Sequence, residues 1–219
     1  MENNTFTRVF ELETVNKQLT LYQQQVGEVN CVVWDAALVL AKYLDTLCDS
    51  SRYGIDWLRG KKILELGAGI GCVGMTAACL GGKVIMTDLK CAFPILEKNI
   101  LLNKNQWRDS EGTAEAKILE WGNIIDFDYQ PDIILLADCV YYKESIQPLM
   151  ETLEYFCKNN RSTYAILSQE QRDTPGQIPV WKEFLNELSK KFELEYVPQS
   201  EQHPIYSSKD IFLIKLNII

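Results

Sequence analysis

The sequence holds a single histidine, His203, among 219 residues. A zinc site built on imidazoles therefore has no second ring to use, and no metal is expected. There is no C-x-x-C pair: seven cysteines stand singly at 31, 48, 72, 79, 91, 139 and 157. An odd set of scattered thiols, several inside apolar runs, suits a reducing compartment rather than a secreted disulfide framework. No G-x-S-x-G occurs, which removes the usual serine hydrolase arrangement. Basic residues are in the minority, 22 Lys and Arg against 30 Asp and Glu, for a net charge of −8. A chain that grips nucleic acid through phosphates needs the opposite balance, so no nucleic-acid partner is expected. An acidic surface suits a basic or lysine-bearing protein partner, or serves solubility alone. No apolar run approaches the ~18 residues of a membrane helix, and the opening MENNTFTRVF has no apolar signal core. The expectation is a soluble monomer without a membrane partner, cytoplasmic, with the nucleus also open. At 47% hydrophobic residues the length suits one domain over 1–219, with 1–30 as an N-terminal extension and 31–219 as the core.

What is present is alternation. Thr5 to Glu13 and Lys17 to Gln23 read as a small β-hairpin turning near Thr14 to Asn16. VVWDAALVLAKYL places Trp34, Leu38, Ala41 and Leu44 along one helical face. From Lys61 the sequence alternates strand and helix. KKILEL is a strand, GAGIG a turn, and CVGMTAACL a helix closed by Gly81-Gly82. KVIMTD and a helix over Phe93 to Asn103 follow. Ala116 to Leu119 reads as a third strand, ending at Glu120-Trp121-Gly122. PDIILLAD is a fourth, with a helix from about Glu144 to Lys158. STYAILSQ is a fifth, with a helix from about Val180 to Lys191. FELEYVP and DIFLIKL come with no helix between them and should pair as an antiparallel hairpin at one sheet edge. The pattern predicts a doubly wound α/β fold, Rossmann-like, with a mostly parallel seven-stranded sheet.

The segment ILELGAGIGCVG, Ile63 to Gly74, satisfies G-x-G-x-x-G when read from Gly69. Glycines there let the backbone turn sharply and let a ligand approach closely, although a tight turn with no ligand is the competing reading. Glu65 lies two residues before Gly67, at the end of the first core strand. A carboxylate there repels a dinucleotide pyrophosphate but suits S-adenosylmethionine, which carries a sulfonium and an ammonium. Asp88 ends the next strand, where a carboxylate accepts ribose hydroxyls; this fits NAD and S-adenosylmethionine equally. Asp138 follows the fourth strand in A-D-C-V-Y-Y. Ligands in open α/β sheets bind at strand carboxyl ends, which places Asp138, Tyr141 and Tyr142 near the reacting centre. Methyl transfer is the better reading.

These motifs resemble those of the class I, seven-β-strand methyltransferases: ELGAGIG, the acid at Asp88 and D-x-x-Y over Asp138 to Tyr141. More narrowly, CVVWDAA (Cys31 to Ala37), L-E-W-G (Leu119 to Gly122), ADCVYYKES (Ala137 to Ser145) and Glu170 to Arg172 resemble the methyltransferase-like 21 group of protein lysine methyltransferases. The resemblance covers nearly the whole chain. It implies cofactor contacts from Trp34, Gly67, Ala68, Gly69, Asp88, Trp121 and Ala137. It also implies a protein partner bearing the target lysine, an AAA ATPase (valosin-containing protein) or a chaperone. Physically, an indole at Trp121 can cover an adenine face or act as a plain hydrophobic lid. Trp34 can equally anchor the core. Ala137 keeps the strand end open.

In-line transfer to an amine needs the neutral form, and a lysine has a reference pKa near ~10.4. Asp138 is expected to orient the amine, with Tyr141 or Tyr142 forming an aromatic slot that accepts the methylated cation. Asp138 also suits the cofactor's amino end, or a helix N-cap before Tyr141. Glu170 and Arg172 are read as substrate rim, where Arg172 could pair with an acid; a solvated charge cluster is an equal reading on composition alone. Two alternatives stay open: a small-molecule amine methyltransferase on the same site, and a non-catalytic cofactor-binding interaction module.

Overall fold

The computed structural model describes residues 5–25, 29–49, 51–124 and 127–219. Two strands come first, β1 (Thr5–Leu12) and β2 (Lys17–Gln24), antiparallel with Phe10 opposite Leu19. Alternation buries Phe10, Leu12, Leu19 and Leu21 on one side, and Asn16 takes a left-handed φ of 49° at the turn. Helix α1 (Asp35–Leu47) follows, with Trp34 at its N-cap position.

The core then alternates through β3 (Lys62–Leu66), α2 (Cys72–Cys79), β4 (Lys83–Asp88), α3 (Phe93–Asn103), β5 (Thr113–Ile118) and β6 (Ile133–Ala137). It continues through α4 (Ile146–Asn159), β7 (Tyr164–Glu170), α5 (Gln177–Ser189), β8 (Phe192–Tyr196) and β9 (Ile211–Ile218). Seven strands form one sheet in the order β5-β4-β3-β6-β7-β9-β8. Strands β3 to β7 pair in parallel, and β9 is antiparallel to both β7 and β8. The expected terminal hairpin exists, but its second strand is the inner one, leaving β8 at the edge.

Strand alternation divides the core into two layers. Ile63, Met86, Ile133, Leu135 and Ile166 face the hairpin, α1 and α2; Leu64, Leu66, Ile134, Leu136 and Leu167 face α4 and α5. Several boundaries shift by a few residues, three of them for a local reason. β5 begins at Thr113, three residues before Ala116, because this strand is half-polar and carries no apolar run to mark its start. A 3-10 turn over Lys143–Ser145 precedes α4. α5 starts at Gln177 rather than Val180, since Pro179 is tolerated within a first helical turn.

The hairpin is held by polar contacts. On α3, Asn99 accepts the Tyr22 N–H at 2.7 Å and donates to the Tyr22 carbonyl at 3.0 Å. Asn103 does the same for Thr20, at 2.8 and 3.0 Å. On α1, the buried Lys42 donates to the Glu11 carbonyl at 2.7 Å and to Glu13 at 2.6 Å, with its ammonium over the rings of Phe10 and Tyr206. Asp45, one turn on, accepts the Glu13 N–H at 2.8 Å.

Candidate functional site

β3 and β6 are neighbours, yet α2 packs on one face of the sheet and α4 on the other. Strand order therefore reverses between these two parallel strands, and a crevice opens at their carboxyl ends. A cavity of about 600 Å³ occupies it. Of the residues expected at a ligand, Trp34, Glu65, Gly67, Ala68, Gly69, Asp88, Trp121, Ala137, Asp138, Tyr141, Tyr142 and Arg172 all line this one cavity. Glu170 does not line it; it reaches the cavity only through an ion pair with Arg172 at 3.0 Å.

The turn after β3 requires glycine. Gly67 has φ 68°, and a Cβ there would come within 2.9 Å of the Cys139 sulfur and 3.1 Å of the Trp121 ring. The indole thus lies against the turn, although Trp121 sits three residues beyond the end of β5 rather than on it. Gly74 serves another purpose. A Cβ would meet Met86 Cγ at 2.3 Å and Glu65 Oε2 at 2.4 Å, so its role is close packing of α2.

Glu65 differs from the sequence expectation in what its carboxyl does. Its Oε2 accepts the Gly74 N–H at 2.9 Å, capping α2, whose own N-cap position is a glycine. Burial pushes its pKa up to about 8, and the nearby Asp88 adds to this. Burial thus favours the protonated carboxyl in this arrangement, and a neighbouring cation would favour the charged form. Asp88 keeps both oxygens on backbone donors: Oδ2 on the Gly69 N–H and Oδ1 on the Leu89 N–H, each at 2.7 Å. Each oxygen retains a lone pair for a hydroxyl.

Asp138 has a left-handed φ of 55° and a buried side chain. It caps no helix, since α4 starts only at Ile146. Its Oδ1 accepts from Gln169 Nε2 at 2.8 Å and Arg172 Nη1 at 3.2 Å, while Oδ2 accepts from Arg172 Nη2. Arg172 also lies over the Trp34 ring, 5.2 Å from its centre. Tyr141 is half-buried and Tyr142 exposed, their rings 4.7 Å apart and steeply inclined. Burial pushes Tyr141 up to about 12, so it stays a neutral phenol.

Gln169 escaped the sequence reading. It is buried at the end of β7, accepts the Val140 N–H at 3.0 Å and donates to the Val140 carbonyl at 3.2 Å as well as to Asp138. A polar residue closing an apolar strand was the signal, the same one that marks Glu65 and Asp88. The wall at Asn30 and Val33 was also missed: Asn30 comes from a 3-10 turn over Val29–Cys31, and Val33, although within the CVVWDAA stretch, carries an apolar side chain that signals no ligand.

The described lining carries five acids, Glu65, Asp88, Glu120, Asp138 and Glu144, and one cation, Arg172, already paired. A pyrophosphate would meet no unpaired cation among these residues, whereas a cationic ligand meets carboxyl groups. Among the described residues no cluster of three His, Cys, Asp or Glu could hold a metal ion.

A family model described as lysine methyltransferase matches residues 13–191. The chain is 34% identical over 203 residues to protein N-lysine methyltransferase METTL21A of Danio rerio, covering 90% of this chain and 84% of that protein. Against METTL21A of Mus musculus the identity is 35% over 193 residues, covering 85% and 79%. Against EEF1A lysine methyltransferase 3 of Xenopus tropicalis it is 33% over 174 residues, covering 79% and 70%. Among solved structures, the chain resembles the T. thermophilus 16S rRNA N2 G1207 methyltransferase in complex with AdoMet and guanosine. The TM-score is 0.62 at 16% identity, covering 97% of this chain and 50% of that one. A TehB-like SAM-dependent methyltransferase from Corynebacterium glutamicum gives 0.53 at 16% identity, covering 86% and 89%. At such identities these two likenesses establish the shared fold.

Proposed function

The chain belongs to the lysine methyltransferase family, and from that premise we propose how its residues divide the work of S-adenosylmethionine-dependent protein-lysine methylation. The observation that carries the assignment is the meeting of the glycine turn, Asp88 and Asp138 around one cavity at the ends of β3, β4 and β6. Asp88, its oxygens held by two N–H groups, binds ribose hydroxyls with its remaining lone pairs. The turn at Gly67, Ala68 and Gly69 gives close backbone approach, Trp121 covers the adenine face, and Trp34 and Ala137 bound the rest. Glu65 supports the turn through α2 and offers a carboxyl that ionises when a cation lies beside it.

When bound, the cofactor supplies a methyl group on a sulfonium, which needs no covalent help from the protein. The chain's task is alignment, which can supply roughly 7 to 11 kcal/mol. Asp138 receives the target ammonium and orients it; the proton leaves to water before transfer, freeing the lone pair that takes the methyl as the sulfonium bond breaks. Tyr141 and Tyr142 border the slot, and their ring faces accept the methylated cation by cation–π contact. Arg172 and Glu170 form the outer rim.

The partner reading is a protein bearing the lysine, an AAA ATPase such as valosin-containing protein or a chaperone. The net charge of −8 supports a basic target segment and argues against nucleic acid. We read the chain as one monomeric domain over 1–219 with no membrane partner, working in the cytoplasm or nucleus, where its unpaired thiols suit the redox state.

The test incubates cell extract with labelled S-adenosylmethionine and the purified protein, followed by mass spectrometry. A methylated lysine on a protein is expected. Label confined to the small-molecule fraction would shift the substrate to a free amine, and no label at all would leave only a binding module. Thermal shifts with S-adenosylhomocysteine and NADH check the cofactor: a shift with the first and none with the second is expected.

A further inference from the structure

Arg172 is the one cation among the described residues that line the cavity, and it occupies a distinctive place. Its guanidinium pairs with Asp138 through both nitrogens, reaches Glu170 at 3.0 Å and lies over the Trp34 indole. A carboxylate facing an indole is also the set of groups that recognises an alkylammonium. Asp138 is the carboxylate assigned above to the target amine, so guanidinium and amine compete for one position.

We propose that Arg172 is an internal occupant of the lysine subsite, which an incoming alkylammonium displaces from Asp138 toward Glu170. The inference rests on the lysine-methyltransferase reading with Asp138 at the amine. Three features support displacement. First, exposure rises outward: side chains of Asp138, Arg172 and Glu170 are 3%, 25% and 34% exposed. The second carboxylate therefore stands on the solvent side, ready to take the guanidinium. Second, Asp138 does not depend on Arg172 for its orientation, because Gln169 grips Oδ1 and is itself pinned to both backbone groups of Val140. Third, a buried carboxylate without a partner is costly, and Arg172 offsets that cost while the subsite holds no amine.

The consequence is selectivity. A free amine must displace an arginine with nothing but its own charge, whereas a protein substrate draws on contacts made elsewhere on its surface. The same competition helps to expel the methylated product.

The experiment uses the full chain saturated with S-adenosylhomocysteine and titrates n-butylammonium, the lysine side-chain analogue, following tryptophan fluorescence. Arg172→Ala is expected to bind n-butylammonium about tenfold more tightly than the wild type, the scale of one cation–π contact with an ion pair. Methylguanidinium should compete with it in that variant by refilling the vacated place. Glu170→Gln should bind n-butylammonium about threefold more weakly than the wild type, because the displaced arginine loses half of its alternative partner's charge assistance or more. A thermal shift with S-adenosylhomocysteine confirms that each variant is folded; if Arg172→Ala is not, Arg172→Gln carries the same expectation. Binding no tighter than wild type in the folded variant, or no competition by methylguanidinium, overturns the proposal. If the wild type labels a protein lysine and the arginine variants still bind no tighter, displacement alone fails. If the wild type labels no lysine, the underlying reading fails.

Discussion

A cation, a carboxylate and an aromatic ring meet against helix α1 at each of two places. At its start, Trp34 faces Arg172, which is paired to Asp138. Two turns on, Lys42 lies over Phe10 and Tyr206 and is paired to Glu13. Lys42 is fully enclosed, with a backbone carbonyl, a carboxylate and two rings around it, and it does not line the crevice. Arg172 is shared between two carboxylates and faces the crevice. The same ingredients give a fastening in one place and an exchangeable contact in the other. What decides is whether the cation has a second carboxylate and open space beside it.

The sharpest way to separate the two is Asp138→Ala. Labelled methyl transfer is expected to fall about a hundredfold, the scale of lost alignment at a reacting centre. The thermal shift with S-adenosylhomocysteine should persist. A retained rate would move the amine's partner elsewhere. Lys42→Ala should do the reverse, costing about 3 kcal/mol in urea unfolding through lost packing and a stranded polar cluster. The rate per folded molecule should stay within about twofold, the expectation for a site outside the reacting geometry. A collapse in rate at unchanged stability would erase the distinction.

Gly74→Ala tests the element between the two regions. The added Cβ would press on Met86 and on the Glu65 carboxyl, and overpacking of this kind costs about 2 kcal/mol. Both the urea midpoint and the affinity for S-adenosylhomocysteine should fall. The smallest effect is pH-dependent. Burial raises Asp45 from 3.8 to about 6, so the folded chain binds that proton more tightly than the unfolded one. Its contribution to stability is fully present below about pH 4 and is lost as pH rises through about 6. Glu13 is shifted down in the same cluster and offsets part of this, leaving a loss on the order of 1 kcal/mol. Glu65, raised by burial to about 8, adds its own loss over this window in either chain, so Asp45 is read from the difference: urea midpoints should fall less between pH 4 and 7 in Asp45→Asn than in the wild type.

The exchangeable region was far more legible in the sequence than the fastened one. Glu65, Asp88 and Asp138 are polar residues at the ends of apolar strands, and a parallel sheet brings such ends together whatever the loops do. Gly67 and Gly69 announce their turn locally. Lys42 and Asp45, by contrast, look like ordinary charges on a helix, because their burial depends on the hairpin and on Tyr206, far away in the chain. The inner position of β9 was hidden for a similar reason: two strands with no helix between them define a pair but not which member lies inside. The direction of the Glu65 carboxyl needed α2 in place, and Gln169 needed the left-handed bend at Asp138 that it braces.

The amides of Asn99 and Asn103 meet alternate residues of β2, each giving and taking one hydrogen bond as a neighbouring strand would. A helix thereby imitates a third strand. Had those backbone groups stayed unpaired, they would form a template on which a second chain could grow. Two side chains one helical turn apart thus close off a route to aggregation, and they do so without lengthening the sheet.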